Sequence, residues 1–250
     1  MDDLAFKAQV HRWAIECVAR SSLRQDLILH GGSVFAYCFG SGRVPKDVDF
    51  RLASHVHGSL ARNDDGSSYA ARIGEVLSEF MPQICPTWIS HAERVRQVLH
   101  VDLFTPRRDE IGVTDTEFTP TCMVRSEGFE LAIANKCYLL AGLGSRPPSA
   151  TDLFDVGSLL LRHSLQPAQV SAIAAMMSRR RQREAQIRPI SMTLHHEDLV
   201  LRLDERVSND FELLRGSIHA AYQFDRKAAM AVVLSALESL RRSLAQPANS

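Results

Sequence analysis

The 250 residues suffice for one large domain or two small ones, and 45% hydrophobic with 23% charged residues is globular composition, which excludes a disordered chain or a fibre. Lysine plus arginine number 29 and aspartate plus glutamate 29, so no global charge announces a polyanionic partner, and only a local basic patch would serve one. Five scattered cysteines (Cys17, Cys38, Cys85, Cys122, Cys137) without C-x-x-C spacing exclude a disulfide framework, no apolar run approaches the roughly 18 residues of a membrane span, and no signal peptide follows Asp2 and Asp3, so a cytoplasmic protein is expected.

Leu4, Val10, Trp13, Cys17 and Val18 fall near helical spacing, which predicts an amphipathic helix over Leu4–Arg20. Asp26 to His30 is a short apolar run stopped by Gly31-Gly32, a buried strand running into a tight turn. Ser33 to Phe39 reads as helix and Val48 to Leu52 as a second strand. Asn63 to Ser68 is turn-rich, with a helix expected over Tyr69–Met81, then strands over Thr87–Ser90 and Arg96–Phe104. Ser126 is the expected N-cap of a helix through Leu131, Ala134, Lys136 and Leu139.

Gly142 to Ser149 is the strongest breaker in the chain and sets the expected domain limit, 1–145 against 146–250. Helices are expected beyond it at Asp152–His163, Pro167–Ala185, Asn209–Phe224 and Arg226–Leu244, with a fraying tail from Gln246. The fold class is therefore α+β, a mixed-sheet domain followed by a helical one.

Chemistry concentrates in Leu29-His30-Gly31-Gly32-Ser33 and Lys46-Asp47-Val48-Asp49-Phe50. Two residues apart on a strand, Asp47 and Asp49 face the same way, and paired carboxylates are costly unless a cation sits between them. Such hard oxygen donors suit Mg2+ or Mn2+ bridging to phosphate. Gly31 and Gly32 let backbone amides approach a phosphate, and the Ser33 hydroxyl is a further donor.

A strand, Gly-Gly-Ser, a helix and a strand-borne Asp-Val-Asp together resemble the polymerase-beta-like nucleotidyltransferase superfamily. Fourteen residues lie between Gly32 and Asp47, and Arg43 stands four before Asp47. This arrangement is similar to that of the AbiEii/AbiGii toxin family, with Gly-Gly-Thr, a short helix, then Arg-x-Ser-x-Asp-Ile-Asp. The family's later lysine corresponds to Lys136, and its Arg-Asp-x-Tyr-Asp-like motif to Thr151-Asp152-Leu153-Phe154-Asp155. Ser33 stands for the usual threonine, Pro45 for the serine and Thr151 for the arginine.

The resemblance implies a nucleotidyltransferase that uses an NTP and Mg2+ or Mn2+ held by Asp47 and Asp49. Asp102 is the expected third carboxylate, completing the metal site or taking the acceptor's proton. Lys136 is expected on the triphosphate. Gly31, Gly32, Ser33 and Arg43 are expected around the nucleotide, with Asp152 and Asp155 positioning the base, the ribose or Lys136. It also implies a toxin restrained by a cognate antitoxin, acting on tRNA or other RNA. The alternatives are transfer to a protein or small molecule, or a non-catalytic nucleotide-binding module.

Other features carry blander readings. His195-His196-Glu197-Asp198 reads as a polar surface turn, and His55-Val56-His57 lacks further ligands. Arg179-Arg180-Arg181-Gln182-Arg183 reads as a solvated helical face that is also suited to RNA phosphates. Val170, Ile173, Met176 and Met177 read as core.

Overall fold

The computed structural model describes residues 2–56, 67–105, 110–144, 146–185, 214–218 and 222–245. Two compact units emerge, Met1–Gly128 and Phe129–Ser250, and the expected limit at 145/146 falls inside the second. The mixed α+β class expected from sequence is the one observed.

The first unit is built on a five-stranded sheet of order β3-β2-β1-β5-β4, with β1 Leu27–Leu29, β2 Val48–Leu52, β3 Val101–Phe104, β4 Val113–Thr119 and β5 Cys122–Glu127. β1 pairs antiparallel with β2 and parallel with β5; β2 pairs parallel with β3. Leu27, Leu29, Phe50 and Leu52 are buried between register partners of β1 and β2. Helix α1, Asp3–Arg20, is capped by the Asp2 side chain accepting from the Ala5 amide and packs on β5. Helices α2 Gly31–Tyr37, α3 Ser67–Ile84 and α4 Trp88–Val98 also belong to this unit, with short 3-10 turns at Ser22–Gln25 and Ser54–Val56.

Three expectations fail here. Thr87–Ser90 is not a strand, because α4 begins at Trp88, and the strand expected over Arg96–Phe104 shrinks to Val101–Phe104. Tertiary packing overrides the alternation: Val95, with Val98 and Leu99, packs against Phe6, Val10 and Trp13 of α1. The β4–β5 hairpin has no counterpart in the sequence reading. Ser126, the expected N-cap, lies in β5, where its hydroxyl meets that of Thr116 at 2.7 Å.

In the second unit, α5 Phe129–Leu140 packs on α6 Ala150–Leu160 and α7 Pro167–Ala185, and α8 Arg226–Ala245 packs on α6 and α7. The Ser149 hydroxyl accepts from the Asp152 amide and caps α6. A Cβ at Gly157 would stand 2.7 Å from that of Ala229, so small residues let α6 and α8 approach closely. Ile173 and Met177 of α7 are buried, as expected of core. The His195–Asp198 turn, the tail from Gln246, and most of the expected loop Asn63–Ser68 lie outside the described residues. So does half of the helix expected over Asn209–Phe224, and of its described residues Leu214 and Arg215 are helical whereas 216–218 and 222–224 are not.

Candidate active site

The chain leaves β1 at His30 and turns at Gly31, whose φ of +64° is a left-handed conformation that glycine adopts without penalty. The ladder between β1 and β2 keeps one more backbone bond at His30, and beyond the turn a side chain takes the next place. The His30 amide donates to the Asp49 carbonyl at 3.0 Å. The Ser33 hydroxyl, fully buried, accepts from the Asp49 amide at 3.1 Å and donates to the Asp47 carbonyl at 3.1 Å. On the opposite edge the Val48 amide donates to His100 O at 2.9 Å. Asp47 thus precedes the strand instead of lying within it, since β2 begins at Val48 and its carbonyl bonds a side chain.

The space beside both glycines is in use. A Cβ on Gly31 would meet Asp49 Oδ2 at 2.8 Å, and one on Gly32 would meet Arg43 Nη2 at 2.7 Å. Arg43 is buried, whereas Asp47 and Asp49 are half-buried. Asp102 is exposed and pairs in register with Asp49 across the parallel β2–β3 ladder, which puts both carboxylates on one face of the sheet. No group of three or more His, Cys, Asp or Glu side chains suited to a metal ion occurs among the described residues. The donor set nonetheless fits Mg2+ or Mn2+, because such an ion at a triphosphate takes one or two carboxylates and fills its other positions with phosphate oxygens and water.

In the second unit Lys136, nearly buried on α5, reaches Asp152 Oδ1 at 2.7 Å and Asp155 Oδ2 at 3.2 Å. Arg146 closes a bidentate fork on Asp152, 2.6 Å from Nη1 to Oδ2 and 2.8 Å from Nη2 to Oδ1, and the Ser149 hydroxyl donates to Asp152 Oδ2 at 2.8 Å. Burial alone would raise the Asp152 carboxyl, but Lys136 and Arg146 hold it far below the ordinary carboxylate range. Asp152 and Asp155 share one face of α6, as their three-residue spacing predicts.

Sequence reasoning missed Arg146, which sits in the breaker segment where no periodicity points to it. It also missed Lys7 of α1, whose ammonium burial depresses while Asp47 raises it and Lys46 depresses it further. Within the basic run of α7, Arg180 is not a purely solvated side chain. Its guanidinium lies 4.4 Å from the Tyr138 ring centroid and bonds Glu184 and Asn135, while Arg179 is exposed. His55 of the His-Val-His segment bonds Asp26 at 2.9 Å, and His57 lies outside the described residues.

A family profile described as nucleotidyl transferase AbiEii toxin, type IV toxin–antitoxin system, matches residues 13–228. The chain belongs to the AbiEii nucleotidyltransferase toxin family. Membership makes this AbiEii protein an enzyme of the nucleotidyltransferase class. No curated protein and no solved structure gives a significant match. Among the described residues of this AbiEii chain, no helix is long and apolar enough to cross a membrane.

Proposed function

We propose that this enzyme transfers a nucleoside monophosphate from an NTP to a hydroxyl of RNA, with tRNA as the foremost acceptor, and that the transfer arrests growth until a cognate antitoxin relieves it. The observation that carries the reading is the two-edged pinning of Asp47–Val48–Asp49, which holds two hard carboxylates at the start of β2. Asp47 and Asp49 are the residues that would hold Mg2+ or Mn2+. When bound, such an ion neutralises triphosphate charge and favours in-line displacement.

The chain's own groups do the rest. The acceptor oxygen bonds to the α-phosphorus, the bond to the β-phosphate oxygen breaks, and pyrophosphate leaves. Asp102, exposed on the face that bears Asp49, is the carboxylate assigned to take the hydroxyl proton. Asp152 and Asp155 hold Lys136 as an oriented ammonium suited to a phosphate. Support for an RNA acceptor comes from the basic run Arg179–Arg183 at the end of α7, whose exposed Arg179 suits a phosphate backbone.

Induced expression in growing cells tests the reading. Wild type is expected to arrest growth and the Asp47→Ala/Asp49→Ala double variant is not. Arrest that survives the double change removes the enzymatic account.

A further inference from the structure

We infer that Ser33 is a positioning residue for the Asp47–Asp49 pair and that its hydroxyl does not serve the nucleotide as a phosphate donor. A hydroxyl carries a single hydrogen, and that of Ser33 is given to the Asp47 carbonyl at 3.1 Å while the oxygen accepts the Asp49 amide at 3.1 Å. The residue is fully buried, so the hydroxyl has no face turned to solvent.

Its place in the topology explains the arrangement. In an extended chain the carbonyl of residue i and the amide of residue i+2 point to the same edge, and on β2 that edge faces β1. β1 ends at Leu29, and after the His30 amide the backbone turns away through Gly31 into α2. One side-chain oxygen therefore takes the place of the next backbone partner and keeps Asp47 in line with β2, although the strand itself begins at Val48. Both carboxylates that would hold the ion hang from backbone groups fixed by this one hydroxyl. The inference rests on the proposed role of Asp47 and Asp49 and adds the device that sets their spacing. A partner of this kind, one shell behind the ligands, typically changes metal affinity by about 10- to 100-fold when removed.

Mn2+ binding to the nucleotide-free full chain, followed by calorimetry, tests this apart from catalysis, with Asp47→Ala/Asp49→Ala to identify the site. Ser33→Ala is expected to weaken Mn2+ binding by about 10- to 100-fold, and Ser33→Thr, which keeps the hydroxyl, to restore most of it. Val34→Ala shortens the adjacent, equally buried side chain and controls for general loosening of α2; its Mn2+ affinity is expected to equal that of wild type. Wild-type affinity in Ser33→Ala, with a raised KM for NTP alone, overturns the inference and returns the hydroxyl to the phosphates. An equal loss in Val34→Ala also overturns it, since the effect is then merely structural. If wild type and the double-alanine variant bind Mn2+ alike, the metal role of Asp47 and Asp49 fails first, and the inference falls with it.

Discussion

Replacing Lys136 by methionine removes the ammonium from a buried charge cluster while keeping most of the side-chain volume. Lys136 stands between Asp152 and Asp155, both fully buried, at 2.7 and 3.2 Å. Asp152 keeps the Arg146 fork in the variant, whereas Asp155 loses the ammonium. Taking one partner from a buried charge cluster costs about 3–5 kcal/mol, because the remaining carboxylates lose its compensation away from water. At roughly 2–4 °C per kcal/mol for a chain of this size, even 3 kcal/mol lowers Tm by about 6–12 °C.

Urea unfolding at neutral pH, followed by circular dichroism, measures the loss. Lys136→Met/Asp155→Asn, which also removes the buried negative charge, is expected to be at least about 1 kcal/mol more stable than Lys136→Met alone. The cluster also has a signed pH dependence. Because the Asp152 carboxyl is held low in the folded protein, its contribution is present above the unfolded value of about 3.9 and lost as the pH falls through that value and below. The gap between wild type and Lys136→Met therefore narrows below about pH 4. A variant as stable as wild type at pH 7, or a double variant worse than the single one, refutes the reasoning.

Gly31→Ala is expected to cost about 1–2 kcal/mol from its left-handed φ of +64° and to lower transfer at least tenfold by pressing on Asp49 Oδ2. Gly142→Ala, at φ +72° with nothing near its Cβ, is expected to show the stability cost without the loss of transfer. His11, fully buried with Nδ1 2.9 Å from the Tyr37 hydroxyl, is lowered to about 4 by burial first and by Lys7 next. The unfolded chain then binds a proton below about pH 6.5 that the folded protein refuses, so stability falls by up to about 3 kcal/mol between pH 6.5 and 4. His11→Gln is expected to flatten that slope in unfolding measured across the range; an unchanged slope contradicts the assignment.

Local pattern made much of this protein legible in its sequence. Val48–Leu52 and Pro167–Ala185 are the observed limits of β2 and α7, because alternation and helical periodicity there coincide with what packing rewards. The same logic failed at Thr87–Ser90, where the contacts of Val95 and Val98 with α1 decide the structure and are long-range in sequence. The β4 strand, with Thr114, Asp115 and Glu117 exposed, lacks a buried stripe, although its β-branched residues and the turn at Pro120-Thr121 were a signal to follow. At the site, the residue types were readable and the bonding was not. No spacing rule announces that Ser33 spans Asp47 and Asp49, or that Arg146 curls back onto Asp152.

Metal-dependent transfer of a nucleotide to RNA through Asp47 and Asp49, as proposed, is put to the test by a labelled transfer assay. Purified protein is incubated with Mg2+ or Mn2+ and each α-labelled NTP, in the presence of total RNA, isolated tRNA or cell protein, beside the Asp47→Ala/Asp49→Ala control. Label on RNA that requires the metal and both carboxylates is the expected result, and it names the nucleotide and the acceptor class together. Label on protein, label that persists in the double variant, or no label from folded enzyme contradicts the account.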